Sequence, residues 1–127
     1  MSGELALVVD DNARNLRLAR DVLQAGGFQT VEASSGAEAL AAALECAPDV
    51  ILMDIRLPDI DGTEVARRLK ADGRTASIPI VALTSLAMKG DRERFLSSGF
   101  DGYLEKPISV RELPDQVRAH CRRPRGE

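Results

Sequence analysis

Apolar residues fall into two alternating patterns along this chain. Short unbroken runs, Leu5-Ala6-Leu7-Val8-Val9, Val50-Ile51-Leu52-Met53 and Ile80-Val81-Ala82-Leu83, read as strands buried on both faces. Residues 28–33, with Thr30 and Val31, and residues 102–105 read as two further strands. Between the runs, apolar positions recur at helical spacing. Leu16, Ala19, Val22 and Leu23 mark a helix over 13–25, and Val65, Ala66 and Leu69 mark another over 63–72. An Ala-, Leu- and Glu-rich stretch predicts a helix over 37–47, and shorter helices are expected at about 91–98 and 109–121. Five strands alternating with five helices predict an α/β domain whose parallel sheet is doubly wound, with helices on both faces.

The punctuation agrees with this division. Gly26-Gly27 offers a left-handed stop to the first helix. Ser34-Ser35 with Glu38 forms a capping-box pattern before the second, and Pro48 marks its end. Gly73 and Gly99 are expected to end the third and fourth helices. Ser109, with Glu112 three residues on, is a candidate cap for the last helix. Pro114 lies too deep for a first-turn proline if that helix starts at Ser109, so the helix begins late or is kinked.

Composition narrows the function classes. A chain of 127 residues predicts one domain, with a core over about 4–121 and a tail over 122–127. Its net charge of −3 and low aromatic content of 3% argue against a nucleic-acid or anionic-membrane surface, despite Arg118, Arg122, Arg123 and Arg125 near the end. No run has transmembrane length and no signal-peptide pattern opens the chain, so a cytoplasmic protein is expected. Cys46 and Cys121 lack metal-ligand spacing and read as reduced, half-buried thiols. His120 reads as a surface residue.

The candidate chemistry lies where the strands end, because ligands of such sheets sit at the strands' carboxyl ends. The first strand delivers Asp10 and Asp11, the third Asp54, the fourth Thr84 and the fifth Lys106. Taken singly, an aspartate after a strand is ordinarily a turn or cap residue, and a threonine or lysine there a turn hydroxyl or a solvated charge. Together they form a set with a purpose. Crowded carboxylates need a compensating cation, and a hard divalent ion such as Mg²⁺ takes oxygen ligands of this kind. A carboxylate is also a competent nucleophile toward phosphorus, with a cation and an ammonium group to neutralise the phosphoryl oxygens.

These residues, with Pro58, Asp61-Gly62, Ser85, Tyr103 and Pro107 at their positions, make the chain resemble the receiver (CheY-like) domain of two-component response regulators over essentially its whole length. Ala87-Met88-Lys89-Gly90-Asp91 is similar to stand-alone cell-cycle regulators and to hybrid-kinase receivers. The resemblance implies a flavodoxin-like sheet in strand order 2-1-3-4-5, with Asp54 as phosphoacceptor from a phosphohistidine on a histidine kinase or phosphotransfer protein. It implies Mg²⁺ (or Mn²⁺) held by Asp11, Asp54 and the Arg56 backbone carbonyl, with Asp10 acting through water. Lys106 would contact the phosphoryl group, Thr84 and Ser85 would line it, and Tyr103 would turn inward. That rotation would switch the face made by the fourth helix, fifth strand and fifth helix for partner binding. A cis peptide before Pro107 is also implied.

Two positions flanking the pocket, Arg56 and Leu86, are expected to tune phosphate lifetime by obstructing water. A phosphatase with an aspartate nucleophile needs a second acid two residues on; Arg56 occupies that place, so turnover is not expected. A flavin binder of the same fold class needs a phosphate loop after the first strand, where Asp10-Asp11 would repel the phosphate. The expectation is a signalling phosphoacceptor, monomeric or weakly dimeric, with only slow autodephosphorylation. A stand-alone regulator is favoured over a receiver excised from a larger protein, and a relay intermediate that passes the phosphate onward is equally compatible.

Overall fold

The computed structural model describes residues 4–84, 99–105 and 108–121. Along the chain these form β1 (Leu5–Val9), α1 (Ala13–Ala25), β2 (Gln29–Ala33), α2 (Gly36–Cys46), β3 (Val50–Asp54), α3 (Gly62–Ala71), β4 (Ile80–Thr84), β5 (Gly102–Glu105) and a last helix, α4 (Leu113–His120). The strands form one parallel sheet in the order β2-β1-β3-β4-β5. The expected doubly wound architecture is therefore present. The helix expected at 91–98 lies outside the described residues, as do the tail 122–127 and the candidate cis bond at Pro107.

Burial on both faces explains the unbroken apolar runs. Leu7, Val9, Ile51, Met53, Ile80 and Ala82 face α2 and α3, packing with Ala39, Ala43, Val65, Ala66 and Leu69. Their chain neighbours Ala6, Val8, Val50, Leu52, Val81 and Leu83 face the other way, against Leu16, Ala19, Val22 and Leu23 of α1 and Leu113 and Val117 of α4. Alternate residues thus enter two separate cores, and a polar residue on either face of a central strand would be buried. Each large aliphatic side chain placed there stabilises the fold by about 1.5–3 kcal/mol.

The helix ends show where local sequence chemistry operates. Asn12 caps α1, its side chain accepting from the Arg14 and Asn15 N–H groups. The left-handed residue after α1 is Gly27 (φ 99°), whereas Gly26 has negative φ. Ser35 caps α2 by accepting from the Glu38 N–H, but Glu38 reaches back to the N–H and hydroxyl of Ser34 rather than of Ser35. Helix α2 closes on Ala47 in the left-handed region (φ 47°), immediately before Pro48.

Gly73 is not the terminator of α3. Asp72 is the C-cap, in extended conformation, and its carbonyl accepts from the Thr75 and Ala76 N–H groups. The buried Thr75 hydroxyl donates to the Leu69 carbonyl at 2.6 Å, so an irregular turn rather than a glycine ends the helix. The last helix begins late: its first full turn starts at Leu113, and Pro114 sits in that turn, where its missing N–H costs nothing. Ser109 caps only the turn before it, accepting from the Glu112 N–H.

Arg118 differs from the solvated basic group its position near the chain's end suggests. Its guanidinium donates to the Gly26 carbonyl at 2.7 Å, lies 3.4 Å from Glu4 and stacks over the Phe28 ring at 4.6 Å. Close by, Pro114 presses on Gly26, where an added Cβ would meet the ring at 2.5 Å. His120 is half-buried rather than exposed: its ring lies over Gly102, and its Nδ1 is 3.0 Å from the Gln116 carbonyl. Arg118→Ala is expected to lower unfolding free energy by about 1–2 kcal/mol, through a lost charged hydrogen bond and ring contact, where a solvated residue would cost under about 0.5 kcal/mol. Urea unfolding followed by circular dichroism measures the difference.

Candidate functional site

Sheet register brings the acids together. Val9 pairs with Met53 and Asp54 with Leu83, so Asp10, one residue past Val9, stands level with Asp54 at the carboxyl edge. Asp10 and Asp54 are buried and Asp11 is exposed. The three residues each offer a carboxylate oxygen, and these oxygens lie within 4.8 Å of one another. Thr84, the last residue of β4, is also buried, one step beyond the Asp54–Leu83 pair. Tyr103 pairs with Ala82 on the neighbouring strand and is half-buried against the core shared by α2 and α3. Ser85, Leu86 and Lys106 lie outside the described residues.

Two of the acids are oriented by the same local device. An Asp10 carboxylate oxygen accepts from the Asn12 N–H at 2.9 Å, and an Asp54 oxygen accepts from the Arg56 N–H at 3.0 Å. Aspartate is suited to this turn because its short side chain reaches the backbone two residues on. The bond fixes each carboxylate and bends the chain away from the strand. The Arg56 side chain is exposed.

The loop after Asp54 is drawn in tightly. The Gly62 N–H donates to the Ile55 carbonyl at 2.9 Å, closing the loop on itself. A Cβ at Gly62 would stand 2.9 Å from Ile55 backbone atoms and 3.1 Å from the Asp54 carbonyl oxygen, so only glycine fits this approach. Asp61 then caps α3, accepting from the Thr63 N–H and hydroxyl, both at 2.8 Å. Ile60 reaches α2, where its Cγ1 would be 2.5 Å from a Cβ on Gly36.

Asp59 makes the longest-range contact of this loop. Its two carboxylate oxygens accept from the Gly36 N–H at 2.8 Å and the Ala37 N–H at 2.9 Å, at the start of α2. These bonds hold its carboxyl below the ordinary aspartate value. Sequence reading missed this role, since the donors lie 23 and 22 residues away; an acid three residues before the α3 start carried no sign of its target. At the opposite edge Cys121 is inert: burial, then Glu4 and Asp49, push its thiol up to about 12. Both cysteines are free and half-buried, as expected.

A clustered acid triad at the carboxyl edge of a parallel sheet in the order β2-β1-β3-β4-β5, with the buried Thr84 at the end of the next strand, defines a flavodoxin-like domain with an acidic pocket. The chain belongs to the response regulator receiver domain family, whose model matches residues 6–118. It is 44% identical over 114 residues to the polar-differentiation response regulator DivK of Brucella ovis, covering 90% of this chain and 93% of that protein. Chemotaxis response regulator CheY4 of Vibrio cholerae superposes with a TM-score of 0.87 at 26% identity, covering 93% of this chain and 98% of CheY4. The receiver domain of sensor histidine kinase PA1611 from Pseudomonas aeruginosa PAO1, which has a magnesium ion coordinated in its active-site cleft, gives 0.85 at 34% identity over 94% of this chain and 98% of that domain. Among the described residues, no helix is long and apolar enough to cross a membrane.

The lowered Asp59 value has a definite sign. Its hydrogen bonds to α2 favour the folded state above the unfolded-state value, and that contribution is lost as pH falls through the lower folded value. A ¹³C-detected carboxyl titration is expected to place the Asp59 midpoint below that of an unstructured aspartate, with the Gly36 and Ala37 amide shifts following the same curve.

Proposed function

We propose that Asp54 is the phosphoacceptor of a two-component or phosphorelay pathway and that a phosphohistidine on a histidine kinase or phosphotransfer protein is its donor. The observation that carries this reading is the triad itself: three carboxylates with oxygens within 4.8 Å, in a chain of the receiver family. An Asp54 carboxylate oxygen attacks phosphorus and forms the new O–P bond. The N–P bond of the donor breaks, and the imidazole leaves with its electron pair and takes up a proton. One Asp54 oxygen already accepts from the Arg56 N–H, so the carboxylate is held in one orientation before the donor arrives.

The donor set fits a hard divalent cation. Carboxylates at this spacing are all-oxygen ligands with excess negative charge, which suits Mg²⁺ or Mn²⁺. Asp11, Asp54 and the Arg56 carbonyl would hold it, with Asp10 acting through water. When bound, such an ion supplies charge neutralisation to the transferring phosphoryl oxygens. Thr84, Ser85 and Lys106 would contact those oxygens, and Tyr103 would turn inward and alter the surface around β5 for a protein partner. The match to 93% of DivK supports a regulator that acts through its own surface; a cytoplasmic location is part of the same proposal. Arg56 stands where a hydrolase of this chemistry carries its second acid, so the site receives and retains a phosphoryl group rather than turning over substrate.

Incubation with a small phosphodonor and Mg²⁺, read by intact mass, is expected to add one phosphoryl group to the wild type and none to Asp54→Asn. Equal labelling of the variant overturns the assignment. The exposed Arg56 side chain, with Leu86, is proposed to slow attack by water on the phosphorylated Asp54. The double substitution Arg56→Ala with Leu86→Ala should shorten the phosphate half-life severalfold, and an unchanged half-life removes both residues from that role.

A further inference from the structure

The loop that follows Asp54 is split in character: Ile55, Leu57 and Ile60 pack against the core on the side of α2 and α3, while the residues between them stand in solvent. Residues 55–61 line an open cavity of about 350 Å³, and Arg56, Pro58, Asp59 and Asp61 are exposed. The apolar side chains set the loop on the core, and a few polar and steric holds fix its exposed backbone. Two are local: the Arg56 N–H on the Asp54 carboxylate and the Gly62 N–H on the Ile55 carbonyl. The others reach across to α2: Ile60 against Gly36, and the paired hydrogen bonds from Gly36 and Ala37 to Asp59.

The start of α2 is itself tied to the loop bearing Asp10. The Asp10 N–H donates to the Ala33 carbonyl at 3.1 Å, and Gly36 follows Ala33 by three residues. A closed circuit results: Asp10 to Ala33, along the chain to Gly36, through the Asp59 carboxylate, and back along the loop to Arg56 and Asp54. Among the described residues, the Asp59 contact is the hydrogen-bonded link between the loop and the start of α2, beside the apolar contact of Ile60 with Gly36.

We propose that Asp59 is a positioning residue of the phosphoacceptor pocket, whose paired hydrogen bonds to the start of α2 fix the Arg56 carbonyl at its distance from Asp10 and Asp11. The proposal rests on the reading of Asp54 and its neighbours as a cation-assisted phosphoacceptor site. Asp59 touches neither the phosphoryl group nor the cation; it acts through the loop. A carboxylate satisfies both N–H groups at once. An asparagine can accept from only one and would face the other with its own N–H. The series Asp, Asn, Ala therefore weakens the hold in graded steps at nearly constant size for the first.

Three variants test it: Asp59→Asn, Asp59→Ala and Ser35→Ala. The last removes the other side-chain cap of α2, on the Glu38 N–H, without touching the loop. Mg²⁺ affinity by isothermal titration calorimetry is expected to fall by roughly threefold to tenfold in Asp59→Ala, less than the 10–100-fold typical of groups bonded directly to a metal ligand. Asp59→Asn should be intermediate, and Ser35→Ala should match the wild type while still lowering thermal stability. At saturating Mg²⁺ the phosphorylation rate of the Asp59 variants should return to within about twofold of wild type, as expected when positioning acts on cation binding. In metal-free protein, hydrogen exchange at the Arg56 amide should quicken in the Asp59 variants alone. Unchanged affinity in Asp59→Ala, or an equal loss in Ser35→Ala, overturns the proposal. A wild type that takes up no phosphoryl group brings down the phosphoacceptor reading instead, and the Arg56 exchange still decides whether Asp59 holds the loop.

Discussion

Three carboxylates within 4.8 Å repel one another, and the rest of the structure is arranged to hold them there. Two of the three are buried, where the unfavourable interaction is least screened by water. Rigid strands pay for that proximity. The central strands β1 and β3 have no solvent-facing side, and their packing against four helices leaves the register no freedom to slip and separate Asp10 from Asp54. Under the proposed function that repulsion is what a divalent cation would relieve, and the loops beyond the strands set how the ligand oxygens are aimed.

Much of this was legible in the sequence, for a physical reason. Strands buried on both faces read as continuous apolar runs, so β1, β3 and β4, with the acids that end the first two and the threonine that ends the third, stand out without any structure. Amphipathic spacing likewise marked α1 and α3, whose buried positions are those the periodicity selects. The strand ends follow directly once the sheet is parallel, which is why Asp10, Asp11 and Asp54 come together and Thr84 ends the strand beside Asp54.

What escaped was chemistry between distant segments and backbone geometry at helix ends. Nothing near Asp59 identifies the Gly36 and Ala37 amides as its partners, because the contact is created by the loop's return to α2. Arg118 looked like one of several basic residues near the chain's end, and only the packing of α4 on α1 places Phe28 and Gly26 beneath it. Gly73 looked like a stop signal, yet a threonine hydroxyl and the Asp72 carbonyl perform that task. Pro114 held the correct clue, since a proline fixes where a helix can begin, and α4 starts beside it.

The anchorage of Arg118 also bears on how the two edges of the sheet differ. Its guanidinium lies beside Glu4, ahead of β1, and beside the carbonyl that closes α1, at the edge where the parallel strands begin. Helix α4 runs back toward that same edge, so its last turn and the approach to β1 are neighbours there. In that last turn the His120 ring lies over Gly102, so the start of β5 joins the same corner. The edge opposite the acids is thus sewn shut by side chains from the last helix, which leaves the carboxyl edge as the place where loops, and not packed helices, meet solvent.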